Sequence, residues 1–145
     1  MQDNRALCSN FTTFQSLVNG NTNNLLKTMD WSNVVIAGGF IYGLLSPSSM
    51  LAESDIDLFI YGDTEQIREQ KCQYLMNHFK DAKPYYIINK SVITIIIPTI
   101  NRDIQIIVTD KKSSSDITNN FDLNYTRCFY NGEIVMCSED CIYAL

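Results

Sequence analysis

The sequence is poor in the residues that build metal, disulfide or extracellular frameworks. It has one histidine, His78, and only three prolines and six glycines among 145 residues. One histidine excludes a His-rich zinc centre, and the Cys137-x-x-x-Cys141 spacing matches no common zinc site. The five cysteines (Cys8, Cys72, Cys128, Cys137 and Cys141) are an odd number without the spacing of a disulfide framework. Reduced thiols in an intracellular, cytoplasmic setting are therefore expected, and the Asn-, Thr- and Gln-rich start of the chain has no signal-type apolar stretch. The longest apolar run, Val92-Ile93-Thr94-Ile95-Ile96-Ile97, is far shorter than the roughly 20 residues needed to cross a bilayer. No membrane partner is expected, and the β-branched content of the run reads as an interior strand.

Positive charge is also scarce. Eleven Lys and Arg stand against sixteen Asp and Glu, for a net charge of −5 and a pI near 4.7. The nearest approach to a basic cluster is Lys111-Lys112. A protein that neutralises a phosphate backbone needs a basic stripe, because counterion release supplies most of the non-specific affinity. Nucleic acid is thus disfavoured as a partner. Internal repeats and Pro- or Gly-rich linkers are absent, so residues 1–145 read as a single domain with its own core.

Hydrophobic periodicity predicts helices over Arg5–Leu17, Asn23–Met29, Phe40–Leu45 and Thr64–Ala82, with a short one near Asp140. Asp63 or Thr64 can cap the fourth, whose apolar positions Ile67, Cys72, Leu75, Met76 and Phe79 leave Arg68, Glu69 and Lys71 facing outward. His78 falls on or beside that stripe as a core or rim residue. Strands are expected over Val34–Ala37, Asp55–Tyr61, Tyr85–Ile88, Ser91–Ile97 and Asp103–Thr109, the middle two joined at Asn89-Lys90. A C-terminal hairpin, Arg127–Tyr130 with Glu133–Cys137, would turn at Asn131-Gly132. The fold class is α+β (α/β-type), a mixed sheet of about five strands with helices on one side and the C-terminal β-hairpin beyond.

The densest chemistry lies in Glu53-Ser54-Asp55-Ile56-Asp57-Leu58-Phe59-Ile60. Side chains alternate along a strand, so Asp55 and Asp57 share one face, about 6 to 7 Å apart, while Ile56 and Leu58 share the other. Two carboxylates so placed can hold one or two Mg²⁺ ions whose remaining positions are filled by substrate phosphates. An isolated Asp-x-Asp serves equally well as a solvated strand start, but this pair follows a buried strand, Asn33–Ala37, and a glycine turn, Gly38-Gly39. Glycines at a strand-to-helix turn permit close backbone approach to a ligand, and the N–H groups of a helix start favour phosphate. Asp103, in Arg102-Asp103-Ile104-Gln105, has the parity to offer a third acid from a neighbouring strand. Asp110 has the wrong parity and reads as loop. Three acids brought together at one sheet edge repel unless cations intervene.

This order of strand, Gly38-Gly39, helix, Ser54-Asp55-x-Asp57 and a later strand carrying Asp103 resembles the nucleotidyltransferase superfamily typified by DNA polymerase beta. The resemblance covers Asn33 to Asp110, about half of the chain. The segment Phe121–Glu133 is similar to one that follows the core sheet in nucleotidyltransferase-like proteins of large DNA viruses and fungi, where the setting of a viral member would be the host cell. Departures are the fifteen residues between Gly39 and Asp55, with a loop at Ser46-Pro47-Ser48-Ser49, and Phe40 after the glycines, which offers no hydroxyl. The resemblance implies a Mg²⁺-dependent nucleotidyltransferase with Asp55, Asp57 and Asp103 as catalytic metal ligands for two ions. Gly38, Gly39 and Ser54 would contact a nucleoside triphosphate, ATP by default. A nucleoside monophosphate would pass to a hydroxyl on a protein or small molecule, since the extra nucleic-acid domains of the family's polymerases do not fit in this length. Tyr42, Tyr61, Tyr85 and Tyr86 offer rings for a base, although core packing is their commoner use. The alternative expectation is a catalytically silent module of the same fold that binds a protein partner. A third reading is a chance match on an unrelated domain whose acids bind structural Ca²⁺ or nothing.

Overall fold

The computed structural model describes residues 11–45, 54–119 and 127–138. In chain order it contains α1 (Phe11–Asn21), β1 (Val34–Ala37), α2 (Gly39–Leu45), β2 (Ile56–Ile60) and α3 (Glu65–Phe79). A 3₁₀ turn over Lys80–Ala82 follows, then β3 (Tyr85–Asn89), β4 (Val92–Ile96), β5 (Ile104–Val108), α4 (Ser114–Thr118), β6 (Cys128–Tyr130) and β7 (Val135–Cys137). The fold is α+β, with four α-helices among the described residues and one mixed sheet in the order β3-β4-β5-β2-β1-β6-β7. Only β2 and β5 run parallel. The sheet has seven strands rather than about five because the C-terminal hairpin is not separate from it: β6 pairs with β1, Ile36 opposite Tyr130.

Alternation divides this sheet into two unlike faces. Ile56, Leu58 and Ile60 of β2 join Val34 and Ile36 of β1 and Ile104 and Ile106 of β5 on the first face. Over them lie Phe14 and Val18 of α1, Phe40, Ile41 and Leu44 of α2, and Leu75 and Phe79 of α3, all buried. Each such side chain contributes about 1.5 to 3 kcal/mol by leaving water, which makes this layer the main source of stability. The second face carries a smaller cluster of Val35, Ala37, Phe129 and Ile117, the last from α4, with Phe59 and Tyr61 against it. Helices therefore lie on both sides of the sheet, correcting the one-sided expectation. The unbroken burial of β1 explains why Val-Val-Ile-Ala shows no alternation.

Several local expectations are corrected. The helix predicted over Arg5–Leu17 runs from Phe11 to Asn21, with residues 5–10 outside the described set. Asn23–Met29 forms turns instead of a helix: Asn23 and Asn24 adopt φ of 49° and 62°, left-handed values that stop α-helical propagation. The bonds Leu25 N–H to Thr22 O and Met29 N–H to Leu26 O span three residues rather than four. Thr64 caps α3 as expected, its hydroxyl accepting from Ile67 N–H, but the α-helix ends at Phe79 and the chain leaves through Lys83 at φ 54°. The β3–β4 turn is Lys90-Ser91, one residue later than expected, with Asn89 paired to Val92. Asn131-Gly132 is part of a four-residue loop, since Tyr130 pairs with Val135. There the Asn131 amide oxygen accepts from the N–H groups of Glu133 and Ile134, both at 2.9 Å. Gly132 has φ 93°, and a Cβ there would lie 2.4 Å from the Trp31 ring, so both backbone and space demand glycine.

Lys71 is turned inward rather than outward and is 6% exposed. Its ammonium donates to the Asp30 carbonyl and lies 4.3 Å from the Tyr74 ring centre. Burial pulls its pKa down, partly offset by Asp30. Tyr74 Oη accepts from Asp30 N–H at 2.7 Å, and His78 Nε2 meets the Leu25 carbonyl at 2.6 Å. These contacts hold the turns before β1 against α3, and His78 is the rim residue expected. No helix among the described residues is long and apolar enough to cross a membrane. The loop at Ser46–Ser49, the segment Phe121–Thr126, the helix near Asp140 and Glu53 lie outside the described residues.

Candidate functional site

β1 ends at a backbone conformation that favours glycine: Gly38 has φ 85°, its N–H donates to the Cys128 carbonyl at 3.2 Å, and its carbonyl accepts from Tyr42 N–H to open α2. Because β1 and β2 are antiparallel, with Ile36 opposite Leu58, the glycine turn stands at the end of the sheet where β2 begins. β5 is parallel to β2 and starts at the same end, Ile56 beside Ile104 and Asp57 beside Gln105. Ile56 N–H donates to the Asp103 carbonyl at 2.9 Å. Extending the register by one residue puts Asp103 alongside Asp55, on strands about 4.8 Å apart. Parity then assigns Asp55, Asp57 and Asp103 to the second face, opposite the buried isoleucines and leucine.

Arg102 sets the start of the acidic strand. Its Nη1 donates to the Ser54 carbonyl at 2.8 Å, its Nε donates to Asn21 Oδ1 at 3.1 Å, and its guanidinium lies 5.2 Å from the Phe40 ring centre. One side chain thus links the end of α1, the start of α2 and the entry to β2. The sequence reading gave Arg102 no role; its signal was a cation directly preceding the third acid.

The acid just before β2 and the acid within it differ sharply. Asp55 is exposed, whereas Asp57 is half-buried. Burial first, and the neighbouring Asp55 charge second, push the Asp57 carboxyl up to about 6. Asp57 Oδ1 and Ser54 Oγ are both buried without a hydrogen-bond partner. An orphaned buried polar atom costs about 1 to 3 kcal/mol, so two at the mouth of one strand mark a place built for something else. A hard cation suits a half-buried carboxylate whose ionised form is disfavoured, because it supplies both the missing partner and the opposing charge. The residues are therefore of a type that fits Mg²⁺, and Asp55 and Asp57 would be the ones to hold it. Among the described residues, however, no three His, Cys, Asp or Glu side chains come together closely enough to hold a metal ion. Asp103 shares the face and the sheet end, but its carboxylate does not close a three-acid cluster with the pair.

Of the tyrosines considered as platforms for a base, Tyr42 is core and Tyr61 packs on the second-face cluster, where burial raises its pKa. Tyr85 and Tyr86 are exposed on the outermost strand, away from the acids.

Fold and site together define an α+β protein with a paired-carboxylate site at one end of a mixed sheet, beside a glycine turn. Residues 9–145 match the family described as Gabija anti-defense 2 (Gad2), and the chain belongs to that family. No curated protein matches it.

Proposed function

We propose that this chain is a Mg²⁺-dependent nucleotidyltransferase that moves a nucleoside monophosphate from a nucleoside triphosphate to a hydroxyl acceptor. The observation that carries the reading is the buried, partnerless Oδ1 of Asp57 beside Asp55 at the sheet end where Gly38 turns the chain. The order of strand, glycines, helix and acidic strand supports it, as does a parallel neighbour, β5, that Asp103 directly precedes. Asp55 and Asp57 would hold the cation of a metal–nucleotide complex, ATP by default. Gly38 and Gly39 would bring main chain close to the phosphates, with the orphaned Ser54 hydroxyl as a further donor. Asp103 would face the acceptor hydroxyl, and a second cation there would complete a two-ion site. Bound Mg²⁺ would supply charge neutralisation at the phosphorus and a lowered pKa for the attacking hydroxyl. The family's anti-defense description supports a search for the acceptor or partner among components of the Gabija defence, and the acidic chain favours a protein over nucleic acid.

The second reading is a silent module of the same fold that binds a partner protein. The observation favouring it is that Asp103 does not close a three-acid cluster with Asp55 and Asp57.

Isothermal titration of the four ribonucleoside triphosphates with Mg²⁺ tests the site, comparing wild type, an Asp55→Ala/Asp57→Ala double variant and Asp103→Asn. Binding by wild type that needs Mg²⁺ and is lost in the double variant is the expected result. Asp103→Asn should keep binding but lower transfer of α-labelled nucleotide by about 10²-fold or more, the usual worth of activating a nucleophile. No binding by wild type sinks the reading. Binding with transfer unaffected by Asp103→Asn removes that residue from the mechanism.

A further inference from the structure

The outermost strand of the sheet is its most apolar exposed element. Tyr85, Tyr86, Ile87 and Ile88 are 69%, 39%, 56% and 69% exposed, and all five residues of β3 face solvent. β3 pairs only with β4, so its other edge is open among the described residues. In a hairpin closed by two residues the flanking pair is hydrogen-bonded, here Asn89 with Val92, and alternation extends this to Ile87–Thr94 and Tyr85–Ile96. The N–H and C=O groups of Tyr86 and Ile88 therefore point out of the sheet, a row of four ready for another strand. Natural edges are guarded by lysines, prolines, bulges or inward charges; Tyr-Tyr-Ile-Ile-Asn has none of these within the strand, and Lys83, Pro84 and Lys90 stand only at its ends.

Charge identifies the occupant. Exposed Lys83 and Lys90 bracket β3, in a chain whose net charge is −5. A second copy is disfavoured: the antiparallel register that overlaps all five residues, with Ile87 on the two-fold axis, sets Lys90 of one copy opposite Pro84 of the other, next to its Lys83, at both ends. A strand with acids at its ends meets lysines instead, and opposite charges across a ladder are favourable where like charges are not. We propose that β3 is the docking edge for an extended segment of a partner protein, apolar at alternate positions and acidic at both ends, which joins the sheet as a further strand. Backbone bonds would supply affinity, and the apolar side chains and lysines selectivity. This surface goes beyond the nucleotidyl-transfer reading and does not require it. It lies three strand spacings from β2, about 14 Å, and is separate from the carboxylates.

The test uses a fluorescent peptide of alternating valine and threonine with two glutamates at each end, and its counterpart with lysines at the ends. Anisotropy should show the glutamate peptide binding at least about tenfold more tightly than the lysine peptide, the ratio that about 1.4 kcal/mol gives. Hydrogen exchange should show protection of the Tyr86 and Ile88 amides on binding. A Lys83→Glu/Lys90→Glu variant, altered only at exposed positions, should reverse the peptide preference. Absence of amide protection, or equal affinity for the two peptides, overturns the proposal. So does concentration-dependent protection of the same amides without peptide, which would assign the edge to a second copy.

Discussion

Two faces of one five-residue strand serve opposite ends. On one face of β2, Ile56, Leu58 and Ile60 are completely buried under α1, α2 and α3. On the other, Asp57, with Asp55 just ahead of the strand, stands where burial raises its carboxyl to about 6 and leaves an oxygen without a partner. The first face stabilises the fold, and the second costs stability that a bound cation could return. Their coexistence, one residue apart, shows how a strand can be anchored by one side so that the other can hold an unfavourable group in place.

The largest break in this comparison is Leu58→Ala. Removing a fully buried leucine should lower the unfolding free energy by about 3 to 4 kcal/mol in urea denaturation, through lost transfer energy and the cavity left behind. Neighbouring Asp57→Asn should act in the opposite direction above pH 6, because it removes the charge that burial disfavours. The pH dependence follows from the shift. Below about 3.8 the carboxyl is protonated whether the chain is folded or not. Between 3.8 and about 6 the unfolded chain ionises while the folded chain keeps its proton, so metal-free stability falls as pH rises. The loss is complete a little above 6 and amounts to at most about 3 kcal/mol, at 1.36 kcal/mol per unit. Denaturation at pH 4, 5, 6 and 7 should show this slope in wild type and not in Asp57→Asn. The smallest effect sharpens how the two faces are joined. Arg102→Ala should lower stability by about 2 kcal/mol, the worth of its charge-assisted bonds to Ser54 and Asn21. It should also weaken Mg²⁺-nucleotide titration, because the entry to β2 is no longer held.

The strands were legible because their residues repeat with period two or form short β-branched runs. Val34–Ala37 is recovered residue for residue, and the other strands to within a residue or two. Gly38-Gly39 and Asp55-x-Asp57 were legible because a left-handed turn and a shared strand face depend on local geometry alone. The helix expected at Asn23–Met29 failed because its apolar spacing came with two adjacent asparagines, which reach left-handed φ more readily than most residues. Lys71 was misjudged because helical periodicity assigns a lysine outward and contains no information about the Asp30 carbonyl, forty-one residues away. The exposure of Ile87 and Ile88 was not legible for a related reason: only the strand order puts their strand at an edge.

By itself the sequence determined which segments extend, where the chain must turn, and that two carboxylates share one face of a strand, because these depend on backbone sterics and side-chain period over a few residues. Only the tertiary structure decided that β5 lies parallel beside β2, so that Asp103 comes to the same sheet end, that β6 joins β1, and that β3, paired with β4 alone among the described residues, forms an edge. Pairing between distant strands is chosen by burial of the whole first face at once. The same packing buries Asp57 enough to disfavour its charge, a property that its neighbours in sequence do not carry.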